Sequence, residues 1–211
     1  MGDHADHPEH HADHHADHHE AHDGHGGVNA MAVSATLHCL TGCAIGEIAG
    51  LVIGTAVGLA MGWTIALSIT LAFFFGYLLS TLPLLRAGLA ISTALGVVLA
   101  ADTLSILTME VVDNAVMALI PGAMDAGLVN WIFWVSMTIA FVVAFLAAWP
   151  VNRYLLQRGK GHALTHEFHG AAPAAGVRRL VPELRTSTLV AVLVAFMLGG
   201  LIVSIAAELG A

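Results

Sequence analysis

Charge is scarce in this chain of 211 residues: Asp, Glu, Lys and Arg make up 10% of it, 57% is hydrophobic, and the mean hydropathy is +0.80. That balance excludes an ordinary water-soluble domain and predicts an integral membrane protein. Cysteine is scarcer still. Cys39 and Cys43, the only two, stand four apart in one apolar run, which excludes a disulfide framework and reads as a pair of free thiols. Also lacking are a P-loop, a nucleophile elbow with a triad, an HExxH pair, a CxxCH haem motif and a dinucleotide fingerprint in a strand-helix setting. Their absence excludes an ATP-driven pump within this chain, and the chain is read as a non-enzyme.

What is there is unevenly spread. Residues 1 to 30 hold ten of the 14 histidines and seven of the 15 acidic residues, with no Lys or Arg, so the net charge of −8 has to be read segment by segment. Almost nothing apolar in this stretch is larger than Ala, and it cannot bury a core. It lacks the basic n-region and short apolar h-region of a signal peptide. The repeat "HHADHHADHHEAH" sets His7, His11, His15 and His19 in one register and His10, His14, His18 and His22 in the next. In a helix both registers share one face, a multidentate metal surface.

A membrane span needs about 20 apolar residues, and the remainder divides into five such runs, near 34–60, 63–82, 89–119, 128–151 and 187–208. The fold class expected is therefore an all-α polytopic bundle behind a His-rich tail, with the membrane domain over 31–165 and the rest of a loop plus the fifth span over 166–211. The third run exceeds what a bilayer requires, so its end, "VVDNAVMALI", is expected to tilt, kink or leave the membrane. Arg86 falls between spans two and three, and Arg153, Arg158, Lys160, Arg178, Arg179 and Arg185 fall between spans four and five. The positive-inside rule makes both loops cytoplasmic, which puts the N-terminus inside and the C-terminus outside a bacterial inner membrane. Trp63, Trp131 and Trp134 then mark outer span ends, and Trp149 and Tyr154 an inner one.

Ionisable groups inside the runs carry the functional signal. Glu47 lies in the first, and Asp102, Glu110 and Asp113 in the third, with no Lys or Arg in any span. A charge at the bilayer centre costs at least about 2.5–3.5 kcal/mol on insertion scales, so such groups face the bundle interior and have a partner or a task. The missing partner is read as a cation or a proton. Cys39, Cys43 and Glu47 are spaced i, i+4, i+8, which stacks two thiols and a carboxylate on one stripe, with His38 on an adjoining face. Beside them run Gly42, Gly46, Gly50, Gly54 and Gly58, a small-residue seam that admits a close helix, either a membrane partner or a second copy. On the third run Met109 and Asp113 lie within about 20° of Asp102 on a helical wheel, and Glu110 roughly 80° away. Counted at about 1.5 Å per residue from the cytoplasmic span ends, Glu47 and Asp102 both reach mid-membrane.

Ligand chemistry narrows the cation. Thiolate and thioether suit Cu(I), thiolate with imidazole and carboxylate suits Zn(II), and Ni(II) or Co(II) follow. The order expected is copper, zinc, then nickel or cobalt. The soft ligands would be Cys39, Cys43 and Met109, with His38 met first from the cytoplasm; Glu47 and Asp102 would act as midplane ligands or proton acceptors, and Glu110 and Asp113 would lie nearer the outside. His162, His166 and His169, spaced i, i+4, i+7 in "GKGHALTHEFHG", form one face of a short helix that either grips a metal or meets lipid headgroups. Two other readings stay open. One is a thiol-redox protein cycling Cys39 and Cys43, for which an i, i+4 pair on a regular helix has poor geometry. The other is a scaffold or assembly subunit whose polar residues only hydrogen-bond.

The segments "LHCLTGCAIGE", "LAADTLSILTMEVVDN", "IPGAMDAGL" and "PVNRYLLQRGKGHA", with their HCxxGCxxGE and ADxxSIxxMExxDN patterns, resemble an uncharacterised family of bacterial multi-pass membrane proteins. That family is classed as a domain of unknown function and loosely labelled copper-associated. The resemblance covers roughly residues 34–165. It implies a helical membrane domain and a link to copper, but no established reaction.

Overall fold

A computed structural model describes residues 23–86, 88–158 and 185–210, the side chains of 23–26 and of Ala101 excepted. These residues form five helices and no strand: α1 (Asp23–Ala56), α2 (Met61–Arg86), α3 (Ile91–Leu119), α4 (Trp131–Gln157) and α5 (Thr186–Leu209). α1 is the axis of the bundle. It touches all four other helices, while around it α2 touches α3, α3 touches α4 and α4 touches α5. The short connections after α1, α2 and α3 make these helices alternate in direction, so α1 and α3 run in parallel, and Thr186 Oγ1 donating to Ser34 Oγ at 2.9 Å sets the start of α5 beside the N-terminal half of α1. Arg86, Arg153, Arg158 and Arg185 come to one end, here the basic end, and Asp125 and Glu208 to the other.

The surface inverts the usual order of a soluble protein. Trp63, Ile91, Val111, Leu119, Ile202 and Val203 are more than 60% exposed, while Glu47, Asp102, Glu110 and Asp113 are buried. An apolar exterior round a polar interior suits a lipid solvent. α1, α2, α4 and α5 are each long and apolar enough to cross a membrane, and α3 makes a fifth span when its two arms, Ile91–Ala100 and Asp102–Leu119, are taken together. The arms meet at 50°. The irregularity in α3 therefore falls at its middle, immediately before Asp102, and not at the "VVDNAVMALI" end, which stays helical to Leu119.

The glycine seam closes within the chain. A methyl group at Gly42 would fall on the backbone of Phe75 and Gly76, at Gly46 on that of Leu71 and Ala72, and at Gly50 on Ser68, while at Gly54 it would meet the Thr64 side chain. Two small-residue stripes with the same four-residue spacing thus pair in opposite directions, bringing the backbones together as van der Waals packing in lipid requires. Because α2 fills it, the seam at Gly42, Gly46, Gly50 and Gly54 is not open to another protein or a second copy, which corrects that expectation. Gly58, at φ +71°, lies past the seam in the turn. There Leu59 N–H donates to Gly54 O and Gly58 N–H to Thr55 O, closing α1 with a left-handed glycine cap.

Two boundaries move outward from their apolar runs. α1 starts at Asp23, eleven residues ahead of its apolar run. α4 continues through Pro150 to Gln157, because Asn152 turns inward and donates from Nδ2 to Thr36 Oγ1 at 2.9 Å. A polar residue that appears to end a span is satisfied here by α1. Trp134 also differs from expectation. It is buried, with its indole N–H on Leu128 O at 2.8 Å and its ring against Gly200 of α5, so it packs helices together and does not serve as a belt residue. Trp63 and Tyr154 are exposed.

Candidate metal pathway in the bundle axis

The stripe predicted on α1 faces α3, at right angles to the seam that faces α2. Their i, i+4 spacing keeps Cys39, Cys43 and Glu47 on one line, and all three are buried. α3 presents Asp102, Ser105, Met109, Glu110 and Asp113, also buried. Since the two helices run in parallel, the stripes pair in order from the basic end. Cys39 lies beside Asp102 and the hydroxyls of Ser105 and of Ser80 from α2. Cys43 neighbours Glu110, and Glu47 neighbours Asp113 with Glu110 close by.

This register corrects the depth match expected for Glu47 and Asp102. Asp102 belongs to the layer of Cys39, and Glu47 is level with Asp113. Counting from the ends of apolar runs missed the offset, because α1 begins well before its run and the packing of α3 sets the axial position. Ile106 seats its Cδ1 over Gly76, where an added methyl group would stand 2.7 Å away. That notch fixes how far along the bundle α3 sits.

The layers leave acceptors facing acceptors. Glu47 and Asp113 turn carboxyl toward carboxyl, and such a pair hydrogen-bonds only when one member carries a proton. Both oxygens of Glu47, both of Glu110 and Oδ1 of Asp113 make no regular hydrogen bond among the described residues, despite their closeness to one another and to Cys43. Cys39 and Cys43 are free thiols. Among the described residues no three His, Cys, Asp or Glu side chains converge tightly enough to hold one metal ion as they stand. The axis is therefore a series of pairs rather than a closed cage.

His38 is buried on the adjoining face with Nδ1 at 2.8 Å from Ser34 O. A carbonyl only accepts, so Nδ1 carries the hydrogen of this bond. Met109 is buried in the same core cluster as both cysteines. His162, His166 and His169, together with the repeat histidines up to His22, lie outside the described residues.

At the acidic end the axis opens into a cavity of about 100 Å³, lined in part by Glu47, Asp113, Asn114, Met117, Met124 and Met137. None of these methionines stood out in the sequence, although Met117 follows Asp113 at i+4. Ser80 was equally unmarked. It continues the small-residue stripe Thr64, Ser68, Ala72, Gly76 of α2 at the same spacing.

Fold and interior together define a polytopic helical membrane protein whose buried axis carries thiols and carboxyls. Residues 28–161 match the family described as a domain of unknown function (DUF4396), and the chain belongs to that family. The match takes in α1 to α4 and leaves α5 outside. No curated protein and no solved structure matches the chain.

Proposed function

We propose that the protein binds a heavy-metal ion and carries it through a bacterial inner membrane along the axis between α1 and α3, with copper the favoured ion, then zinc, then nickel or cobalt. One observation carries the reading: two buried thiols stand in line with three buried carboxyls, whose neighbours are one another and the Cys43 thiol, with no cationic side chain beside them among the described residues. Groups that cost several kcal/mol to bury, about 2.5–3.5 each when charged, are retained where a cation or proton uses them. Cys39, Cys43 and Met109 supply soft donors. Glu47, Asp102, Glu110 and Asp113 supply hard ones and accept or release protons as the ion passes, since binding a cation to a carboxyl displaces its proton. The thiol-redox reading is weaker, because both thiols are buried away from an exchange partner.

The arginines at the basic end support a cytoplasmic position for that end and for the N-terminus. The His-rich tail and the His162, His166 and His169 loop would then gather metal on the cytoplasmic side, which fits efflux or sensing more than uptake. The deciding experiment is metal analysis of the purified protein with and without residues 1–30, alongside the double variant Cys39→Ser and Cys43→Ser in cells. Retention of Cu or Zn by the tail-deleted protein, and its loss in the cysteine variant with altered metal tolerance, is the expected result. A tail-deleted protein that binds neither metal, with unchanged tolerance in the cysteine variant, would defeat the proposal and favour a scaffold.

A further inference from the structure

The cavity at the acidic end brings together groups that no single helix stripe accounts for. Met117 comes from α3, Met137 from α4 and Met124 from the 120–130 loop, while Glu47 of α1 and Asp113 of α3 stand at the same wall. Methionine is often an adaptable core filler. Here three of the eight methionines, Met117 and Met137 in the core and Met124 packed against it, also converge on the wall of one cavity. The carboxyls beside them are more than nine-tenths buried, and Glu47 Oε1, Glu47 Oε2 and Asp113 Oδ1 make no regular hydrogen bond among the described residues, the two acids facing only each other across the wall. About 100 Å³ accommodates an ion with a few waters. The loop that brings Met124 is held in place: Trp134 donates to Leu128 O at 2.8 Å, and Asn130 caps α4 by accepting from Ile132 N at 2.9 Å.

We propose that this cavity is a second metal site, in which the thioethers of Met117, Met124 and Met137 and the carboxyls of Glu47 and Asp113 hold a soft monovalent cation, Cu(I) or its redox-inert analogue Ag(I). Thioether sulfur is a soft donor and selects such ions over Zn(II), Ni(II) and Co(II). The carboxyls balance the charge. The site's place in transport rests on the function proposed above, whereas its binding of metal needs neither cysteine.

The test uses full-length protein in detergent and Ag(I) as the probe. In a Cys39→Ser, Cys43→Ser background, the added triple change Met117→Leu, Met124→Leu, Met137→Leu should weaken Ag(I) binding by about tenfold or more, at least what loss of a supporting group at a metal site costs. Leucine nearly conserves volume, so folding should survive. A footprint on unmutated protein gives a second readout. Ag(I) should slow peroxide oxidation of the half-buried Met124 and leave the exposed Met61 unchanged. Equal Ag(I) affinity with and without the three methionines, or equal oxidation of Met124 with and without Ag(I), overturns the site. Neither result bears on Cys39 and Cys43, whose failure would appear in the cysteine variants alone.

Discussion

Glu47 on α1 and Asp113 on α3 face each other carboxyl to carboxyl, at the point where the bundle axis meets the cavity under the 120–130 loop. Replacing one acid by its amide gives this pair a donor that does not depend on a proton being bound. Glu47→Gln should therefore fold as well as the natural protein or better, by up to about 1.5 kcal/mol for the hydrogen bond gained, while abolishing metal-dependent transport. Thermal unfolding in detergent and metal tolerance of cells measure the two effects separately. A variant that is strongly destabilised would mean that the acid already has a satisfying partner.

The seam predicts a sharp contrast between glycines. Gly46→Ala drives a methyl group onto the backbone of Ala72, whereas Gly96→Ala in α3 meets nothing within 4 Å. The first should cost about 1–3 kcal/mol, as overpacking does, and the second should be neutral or mildly stabilising. Unfolding titrations of the two variants provide the comparison, and equal stability would refute the α1–α2 packing.

Asn152 and Thr36 join α4 to α1 by one buried hydrogen bond. A double-mutant cycle with Asn152→Ala and Thr36→Ala should give a coupling near 0.6 kcal/mol and no more than about 1.7, the range such bonds show within membranes. Thr36 keeps its own bond to Ala32 O, so Asn152→Ala should cost little beyond that coupling. Zero coupling would mean α4 does not continue inward past Pro150 as described.

Orientation is open to labelling. In a Cys39→Ser, Cys43→Ser background, Asp125→Cys in the exposed part of the 120–130 loop should react with an impermeant thiol reagent applied to intact spheroplasts. Gly170→Cys, between α4 and α5, should react only after the membrane is opened. The reverse pattern would invert the assignment made from the arginines.

What the sequence made legible is what has a short period. The Cys39, Cys43, Glu47 stripe, the glycine seam and the Asp102, Met109, Asp113 face all repeat within one helix, and each lies on one side of its helix. Pairing between helices was less legible. The offset that sets Asp113, and not Asp102, against Glu47 depends on Ile106 lying over Gly76, a contact between residues thirty apart. The seam's partner was written in α2 as Thr64, Ser68, Ala72 and Gly76, but a stripe of small residues does not name the stripe it meets. Asn152 misled because polarity signals an end only when nothing inside the bundle answers it. The methionine cavity needs three separate segments to assemble, so no periodic signal announces it.

The seam also fixes which parts of the bundle can move. With no side chains between them at Gly42, Gly46 and Gly50, α1 and α2 cannot slide or swing apart without opening a backbone-wide void, so they form a stationary wall. α3 and α4 form the facing pair, α3 already bent ahead of Asp102. The thiols and carboxyls lie on the parting line between the two pairs. Any opening of this interior therefore has to come from the α3–α4 side, because the α1–α2 side has no side chains to rearrange.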